Sequence, residues 1–286
     1  MPVPESAERS IATPPAIKLE RLHGGRPVLE AREDHPWESR VVLNPAAVLI
    51  EPGEELDRLL DTWGLDTPAA GRLRGGGACV LLYRAQGAKG GEHSHAASSI
   101  GLAVLTPALE LVWRRRQPVL RPDQPYQNLG VEDARCTKVG DRYYLYYTGY
   151  STAAGGTESD RRVRICLATT EDFLKWDLRG PVAGDINEVD NKNAALFPEP
   201  VHGNWLLLHR PMSGPGAMAI HLAEAHDPAG PWTSRGEIMR SYRYREFDRS
   251  WIGAGGPPMP LGGQRFLMIY HLGHFTAEGT REYDLA

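Results

Sequence analysis

The sequence predicts an all-β chain built as a β-propeller, and three observations carry that prediction. Four segments of the form turn, apolar strand, polar or aromatic end recur: Ala78 to Arg84, Arg142 to Thr148, Asn204 to Arg210 and Arg265 to His271. Aligned on Tyr83, Tyr147, His209 and Tyr270, they lie 64, 62 and 61 residues apart. A strand-like segment precedes each, and further ones follow in the first three units. Four short strands per repeat is the pattern of propeller blades. A β-sandwich with incidental periodicity is the competing reading.

Taken in order, residues 1–17 are rich in Pro, Ser and Ala and read as a flexible tail, with one domain over 18–286. Leu19 to Leu22 and Pro27 to Leu29 suggest a short outer strand, and Val41 to Ile50 a longer one. Glu54 to Trp63 reads as an amphipathic helix with Leu56, Leu59 and Leu60 on one face. The run of glycines at 75–77 then returns the chain to the first repeated strand. Leading strands are expected at Leu43 to Ile50, Val131 to Val139, Ala194 to Val201 and Ile252 to Leu261. Third strands are expected at Ser99 to Leu105, Arg162 to Ala168 and Ala217 to Ala223, and fourth strands near Trp113, Trp176 and Trp232, whose rings read as packing. The tyrosines at 143, 144, 146 and 147 should divide between core and channel by strand alternation. The fourth unit begins a third strand at Arg281, and the sequence ends at Ala286. The expectation is about three complete blades, a partial fourth and no evident fifth, with a strand edge left open for a possible homo-oligomer to cover.

Composition narrows the class. The net charge of −4 argues against nucleic acid as a partner. Cys79, Cys136 and Cys166 lie in apolar runs, odd in number and without metal spacing, which suggests reduced, buried thiols in a cytoplasmic protein. The N-terminus has neither a basic start nor an apolar h-region, and no apolar run nears the ~20 residues that span a bilayer, so no membrane partner is expected. His93 and His95 form a His-x-His without a third ligand at suitable spacing, so no metal is expected.

The chemistry gathers at the strand starts. Asn44, Asp133, Asn193 and Gly253 open the leading strands, the last three at intervals of 60. In a propeller they converge on one mouth. Around Asp133 the segment Gly130 to Arg135 sets two carboxylates and an arginine where a turn enters an apolar strand. Such charges either pair with one another or face a water-filled site. Inverting glycosyl transfer needs an acid on one face of the sugar and a nucleophile on the other. Hydrolysis activates water with a second carboxylate, whereas phosphorolysis uses an anion that cations must hold. The repeat ends supply Arg84, Arg164, Lys192, His209, Arg210 and His271. Blander readings stand beside this one: a structural Asp133–Arg135 turn, a solvated Lys192, histidines satisfied in a core. Glu199 reads either as a hydrolytic base or only as a channel carboxylate.

Three blocks resemble glycoside hydrolase family 130, the β-mannoside phosphorylases and related β-mannosidases. Gly130 to Arg135 is similar to that family's Gly-Val-Glu-Asp-Pro-Arg signature, with Ala134 in place of Pro. Asn191 to Glu199 with Leu208 to Pro211 resembles its central block, and Ile252 to Pro258 with Ile269 to Gly273 its later block. The resemblance runs from about residue 41 to the C-terminus. It implies a five-bladed propeller with Asp133 as the general acid, passing its proton to the glycosidic oxygen through a sugar hydroxyl. It further implies that Arg164, Lys192, His209 and His271 hold phosphate, and that Asn44, Arg84 and Asp248 border the mannose subsite. The implied reaction joins a β-D-mannoside and inorganic phosphate to give α-D-mannose 1-phosphate and a freed sugar, with no cofactor. Since the family extends beyond the end of this sequence, a shortened member is expected. The alternatives are a β-mannosidase on the same fold and an inactive shortened propeller serving as a binding module. The segments 50–76 and 152–161 are the expected determinants of the acceptor sugar.

Overall fold

The computed structural model describes residues 21–88, 97–153, 156–157, 160–241 and 250–285. The expected tail at 1–17, the His93/His95 pair and Asp248 lie outside the described residues.

The chain is all-β apart from a few short helices. It opens with β1 (Val41–Ile50), followed by α1 (Glu54–Trp63) and α2 (Thr67–Arg74). Then come β2 (Ala78–Gln86), β3 (Ser98–Leu105) and β4 (Leu111–Arg114), completing an antiparallel meander with β1. A second meander comprises β5 (Gly130–Val139), β6 (Arg142–Ser151), β7 (Arg162–Thr170) and β8 (Asp177–Pro181). A single parallel pair, Ser98 with Gly130, stitches it to the first. The third comprises β9 (Asn191–Leu196), β10 (Trp205–Pro211), β11 (Ile220–Ala225) and β12 (Thr233–Met239). The fourth unit divides into β13 (Ser250–Ala254), the small hairpin β14 (Met259–Pro260) and β15 (Phe266–Leu267), then β16 (Tyr270–Phe275) and β17 (Arg281–Leu285).

Strand alternation explains how these sheets stack. Along β6, Tyr143, Leu145 and Tyr147 enter a core shared with the first meander, while Tyr146 enters one shared with the third. Along β7, Cys166 and Ala168 face the first core, and Ile165 and Leu167 the second. A further layer of Ala195, Leu208, Ile220, Ile252 and Ala254 joins the third and fourth units. Central sheets are thus buried on both faces, which is why their strands read as near-continuous apolar runs. The tyrosines of β6 divide between two cores, not between core and channel. Cys79, Cys136 and Cys166 are buried, unpaired thiols. The tryptophans pack: Trp113 stacks on Trp63, while Trp176 meets Phe173 and Trp232 meets Tyr146 edge-on.

The helix α1 has the expected bounds. Leu56, Leu59, Leu60 and Trp63 are its buried face, Glu54, Glu55 and Asp57 favour its N-terminal dipole, and Gly64 ends it in the left-handed region. Sequence reading missed α2, although Asp66 caps it by accepting a hydrogen bond from the Ala69 N–H and Pro68 lies in its first turn. Gly77 follows at φ +94, where a Cβ would sit 2.7 Å from the Ile50 carbonyl. The expected N-terminal strand is absent over its described part. A 3₁₀ turn occupies Leu22–Gly25, curled by positive φ at His23 and Gly24, and no strand covers 27–29. The expected leading strand Ala194 to Val201 instead starts at Asn191, which brings Lys192 and Asn193 inside β9. Among the described residues, no helix is long and apolar enough to cross a membrane.

Candidate functional site

Three strand-opening residues share one backbone device. Asn44, Asp133 and Asn193 have φ of 45°, 49° and 58°, in the left-handed region. Each lies where its strand slips register against the next: between Leu43 and Ala46, between Glu132 and Arg135, and opposite the Leu208/Arg210 irregularity. A bulge with its odd residue in this region turns that side chain out of the regular alternation. Asn and Asp tolerate the conformation better than other non-glycine residues. Gly253, the fourth of the set, has no such irregularity and pairs directly with His271. In this register His271 takes the place in β16 that Tyr83, Tyr147 and His209 hold in their strands, so the sequence alignment on Tyr270 is one residue out.

The bulges bring distant residues together. Asn44 Nδ2 donates to Asp133 Oδ1 at 2.7 Å, and Arg84 NH1 reaches the same oxygen at 3.3 Å. Arg84 NH2 donates to Glu132 Oε1 at 2.6 Å, and Ser98 Oγ lies within hydrogen-bond distance of both Arg84 and Glu132. Asp133 is 8% exposed. Burial pushes its carboxyl up, but Arg84, Lys192, Arg135 and the Asn44 amide outweigh that and hold it below the usual carboxylate range. Glu132 goes the other way, because burial and the neighbouring Asp133 exceed the pull of Arg84. One motif therefore holds two carboxyls whose affinities for protons are driven apart.

Arg135 does not pair with the Asp133 side chain. Its guanidinium is buried and donates to the carbonyls of Asp133, Ala134 and Ala254, tying β5 to β13. Burial lowers its proton affinity, and Asp133 offsets this in part. Lys192 Nζ donates to the Tyr150 hydroxyl at 3.1 Å and lies over its ring. Sequence reading placed Arg210 among the cations but assigned it no site role. It is 5% exposed, its Nε has no hydrogen-bond partner, and burial brings it down to about 10. Its NH1 lies 3.5 Å from His271 Nε2, which also accepts from Asn193 Nδ2 at 3.3 Å. Burial and the charges of Arg210 and Arg135 lower His271 to about 4, so it is a neutral ring. At Gly253 a Cβ would come within 2.2 Å of Asn193 Nδ2 and 2.7 Å of the His271 ring. Glycine here leaves the space in which these two side chains meet.

Asn44, Arg84, Asp133, Lys192 and His271 thus lie within electrostatic reach of one another, with Glu132, Arg135, Asn193 and Arg210 beside them. His209 and Arg164 are placed differently. His209 is 2% exposed, holds Asn191 at 2.9 Å and packs against His221. Burial, with His221 beside it, lowers it to about 3, so it offers no charge, only a ring nitrogen. Arg164 accepts a hydrogen bond from the Cys166 thiol at its backbone carbonyl, and its side chain makes no hydrogen bond or ion pair among the described residues. It lines a cavity of about 970 Å³ with Tyr126, Asn128, Thr152, Asp160 and Arg162. Glu199 is exposed beyond the opposite end of β9 from Lys192. The sequence names Arg210, Gly253 and Arg135, but the unpartnered Nε of Arg210, the unbulged backbone of Gly253 and the burial of Arg135 needed the three-dimensional register to be seen. The only sequence signal was their place in the repeat.

The sequence that folds into these stacked β-meanders matches a family of glycoside-processing enzymes. Residues 67–283 match the family model described as beta-1,4-mannooligosaccharide phosphorylase, and the chain belongs to that family, glycoside hydrolase family 130. It is similar to a 1,2-beta-oligomannan phosphorylase of Thermoanaerobacter sp. (strain X514), with 29% identity over 89% of this chain and 72% of that protein. A beta-1,2-mannobiose phosphorylase of the same organism is 30% identical over the same shares. In three dimensions it shares the fold of the beta-1,2-mannobiose phosphorylase from Listeria innocua, with a TM-score of 0.56 and 22% identity over 73% of this chain and 68% of that one.

Proposed function

We propose that this chain is a β-mannoside phosphorylase, which transfers a β-D-mannosyl group to inorganic phosphate with inversion. The observation that carries the reading is a charge imbalance. Around Asp133 and Glu132 stand Arg84, Arg135, Lys192 and Arg210, four cations to two carboxylates among the described residues. Buried charge of one sign is costly unless a counterion joins it. A phosphate dianion supplies the two missing charges and is the nucleophile that the reaction requires.

In this reading Asp133 is the general acid. Its O–H bond breaks as the glycosidic oxygen takes the proton, directly or through a sugar hydroxyl, and the C1–O bond to the freed sugar breaks. A phosphate oxygen forms the new C1–O bond from the opposite face, leaving Asp133 as carboxylate. Lys192, Arg210 and the neutral His271 border the phosphate position. Arg164 joins from the neighbouring cavity, and His209 stands behind as a neutral ring. Asn44 and Arg84 hold Oδ1 of Asp133 beside the mannose, where the family resemblance also places Asp248. No cofactor enters this chemistry. The stacking of successive meanders supports a propeller architecture of the five-bladed type, and the unpaired thiols suit a reducing compartment such as the cytoplasm.

A hydrolase would need a carboxylate free to activate water. Glu199 lies on the surface away from the group, and Glu132 is engaged by Arg84. Release of α-mannose 1-phosphate from β-linked mannobiose, measured with and without phosphate, tests the reading. Product only with phosphate supports it, and free mannose at an equal rate without phosphate removes it.

A further inference from the structure

The acid of a glycosyl transfer must carry a proton, yet Asp133 sits among cations that favour its ionised form. Asn44 Nδ2 and Arg84 NH1 both donate to Oδ1, so that oxygen is saturated with donors, and Oδ2 has no hydrogen bond among the described residues. The charged groups facing the carboxylate come from several strands: Arg84 of β2, Glu132 and Arg135 of β5, Lys192 of β9. Arg210 of β10 and His271 of β16 also lie within its electrostatic reach. Asn44 of β1 and Tyr150 of β6, through Lys192, complete the surroundings. The carboxylate is almost fully buried, so these charges act with little screening by water.

We infer that binding of a divalent anion beside Lys192 and Arg210 drives uptake of a proton from solvent onto Oδ2 of Asp133. The inference rests on the phosphorylase reading and deepens it. With the anion absent, the surplus of positive charge keeps Asp133 a carboxylate and the site has no acid. With it present, the surplus is neutralised, and burial of an extra negative charge then favours the protonated form. Oδ1 is already engaged by two donors, which leaves Oδ2 to hold the proton and present it to the sugar. The step is a transfer of H⁺ from a solvent or buffer acid to a carboxylate, with no change of oxidation state. It gives a physical reason for phosphorolysis without hydrolysis: water arrives with no charge and so loads no acid.

Linkage makes this measurable, because an anion that raises a proton affinity must bind more tightly as pH falls. Sulfate is the probe of choice, since it is divalent and has no titrating proton over a working range of roughly pH 5 to 8. Sulfate and phosphate binding are measured by titration calorimetry in buffers of differing ionisation enthalpy. Wild type is expected to take up close to one proton per sulfate at the acid end of that range, with affinity rising up to roughly tenfold per pH unit there. His271→Gln should keep the uptake and Asp133→Asn should lose it. Asparagine suits the left-handed backbone at 133, and far-ultraviolet circular dichroism checks that the variant is folded. Sulfate binding without proton uptake, or uptake unchanged in Asp133→Asn, overturns the coupling and leaves the phosphorylase reading standing. Absence of any binding by either anion overturns both.

Discussion

Asn44 and Asp133, 89 positions apart, are joined by a 2.7 Å hydrogen bond from the Asn44 amide to Asp133 Oδ1. Both occupy the left-handed residue of a strand bulge, in successive meanders. The contact fixes the acid from outside its own strand, so the geometry of the proposed reaction depends on how two sheets pack.

Asp133→Asn keeps a residue tolerant of positive φ and removes the proton donor. Its thermal midpoint should stay within a few degrees of wild type, while kcat falls roughly 10²–10⁴-fold, the usual worth of a positioned acid. Asp133→Val should also lose activity but unfold more easily, by at least 1–2 kcal/mol on the order expected for a non-glycine residue held in the left-handed region. Equal stability of the two variants would contradict the bulge geometry.

Arg210→Gln and Lys192→Gln remove charge from the proposed anion position and leave the acid residue itself in place. A hydrogen bond to a charged group contributes about 1.5–3 kcal/mol, so the KM for phosphate should rise roughly tenfold or more. The KM for the mannoside should change far less. A rise confined to the mannoside would show that these cations hold sugar.

Gly253→Ala adds one methyl group where Asn193 and His271 meet. With no room for a Cβ, one of the two must move, at roughly 1–3 kcal/mol of stability. Activity should drop although no functional group is lost, and Ala254→Gly, a neighbouring change without the clash, should not reproduce the loss.

His209 and His271 are lowered to about 3 and about 4, well under an unfolded histidine. The unfolded chain therefore binds more protons than the folded one below about pH 6.5. Stability from these rings is full above that value. It declines as pH falls, by up to about 1.4 kcal/mol per pH unit for each ring, and levels off below the folded values. Melting temperature followed from pH 8 to pH 4 should fall in this window, and His209→Gln should flatten part of the slope. A slope unaltered by His209→Gln would show that the ring is not buried neutral.

Much of this was legible in sequence because repetition multiplies weak signals. One apolar strand says little, whereas four at near-equal spacing located the meanders, and the helix Glu54–Trp63 followed from its own periodicity. Asp133, Asn44, Arg84 and Lys192 draw notice in the sequence because they stand at strand starts or ends. The failures have physical causes. Helix α2 is short, and in the sequence the glycines that follow it outweigh the signal of its Asp66 cap. The strand-ending histidines looked like cations, but charge depends on burial: His209 and His271 are stripped of it by their surroundings. Arg210 follows His209 in the same strand, and only the register shows which of the two shares the surroundings of His271 and the acid.

The most direct test of the central claim is a single-turnover assay on β-linked mannobiose with the full chain, phosphate being the varied component. The account predicts α-mannose 1-phosphate in proportion to bound phosphate, no free mannose in its absence, and α-mannose 1-phosphate formed roughly 10²–10⁴-fold more slowly by Asp133→Asn. Free mannose formed at the same rate without phosphate, or α-mannose 1-phosphate formed undiminished by Asp133→Asn, would contradict it.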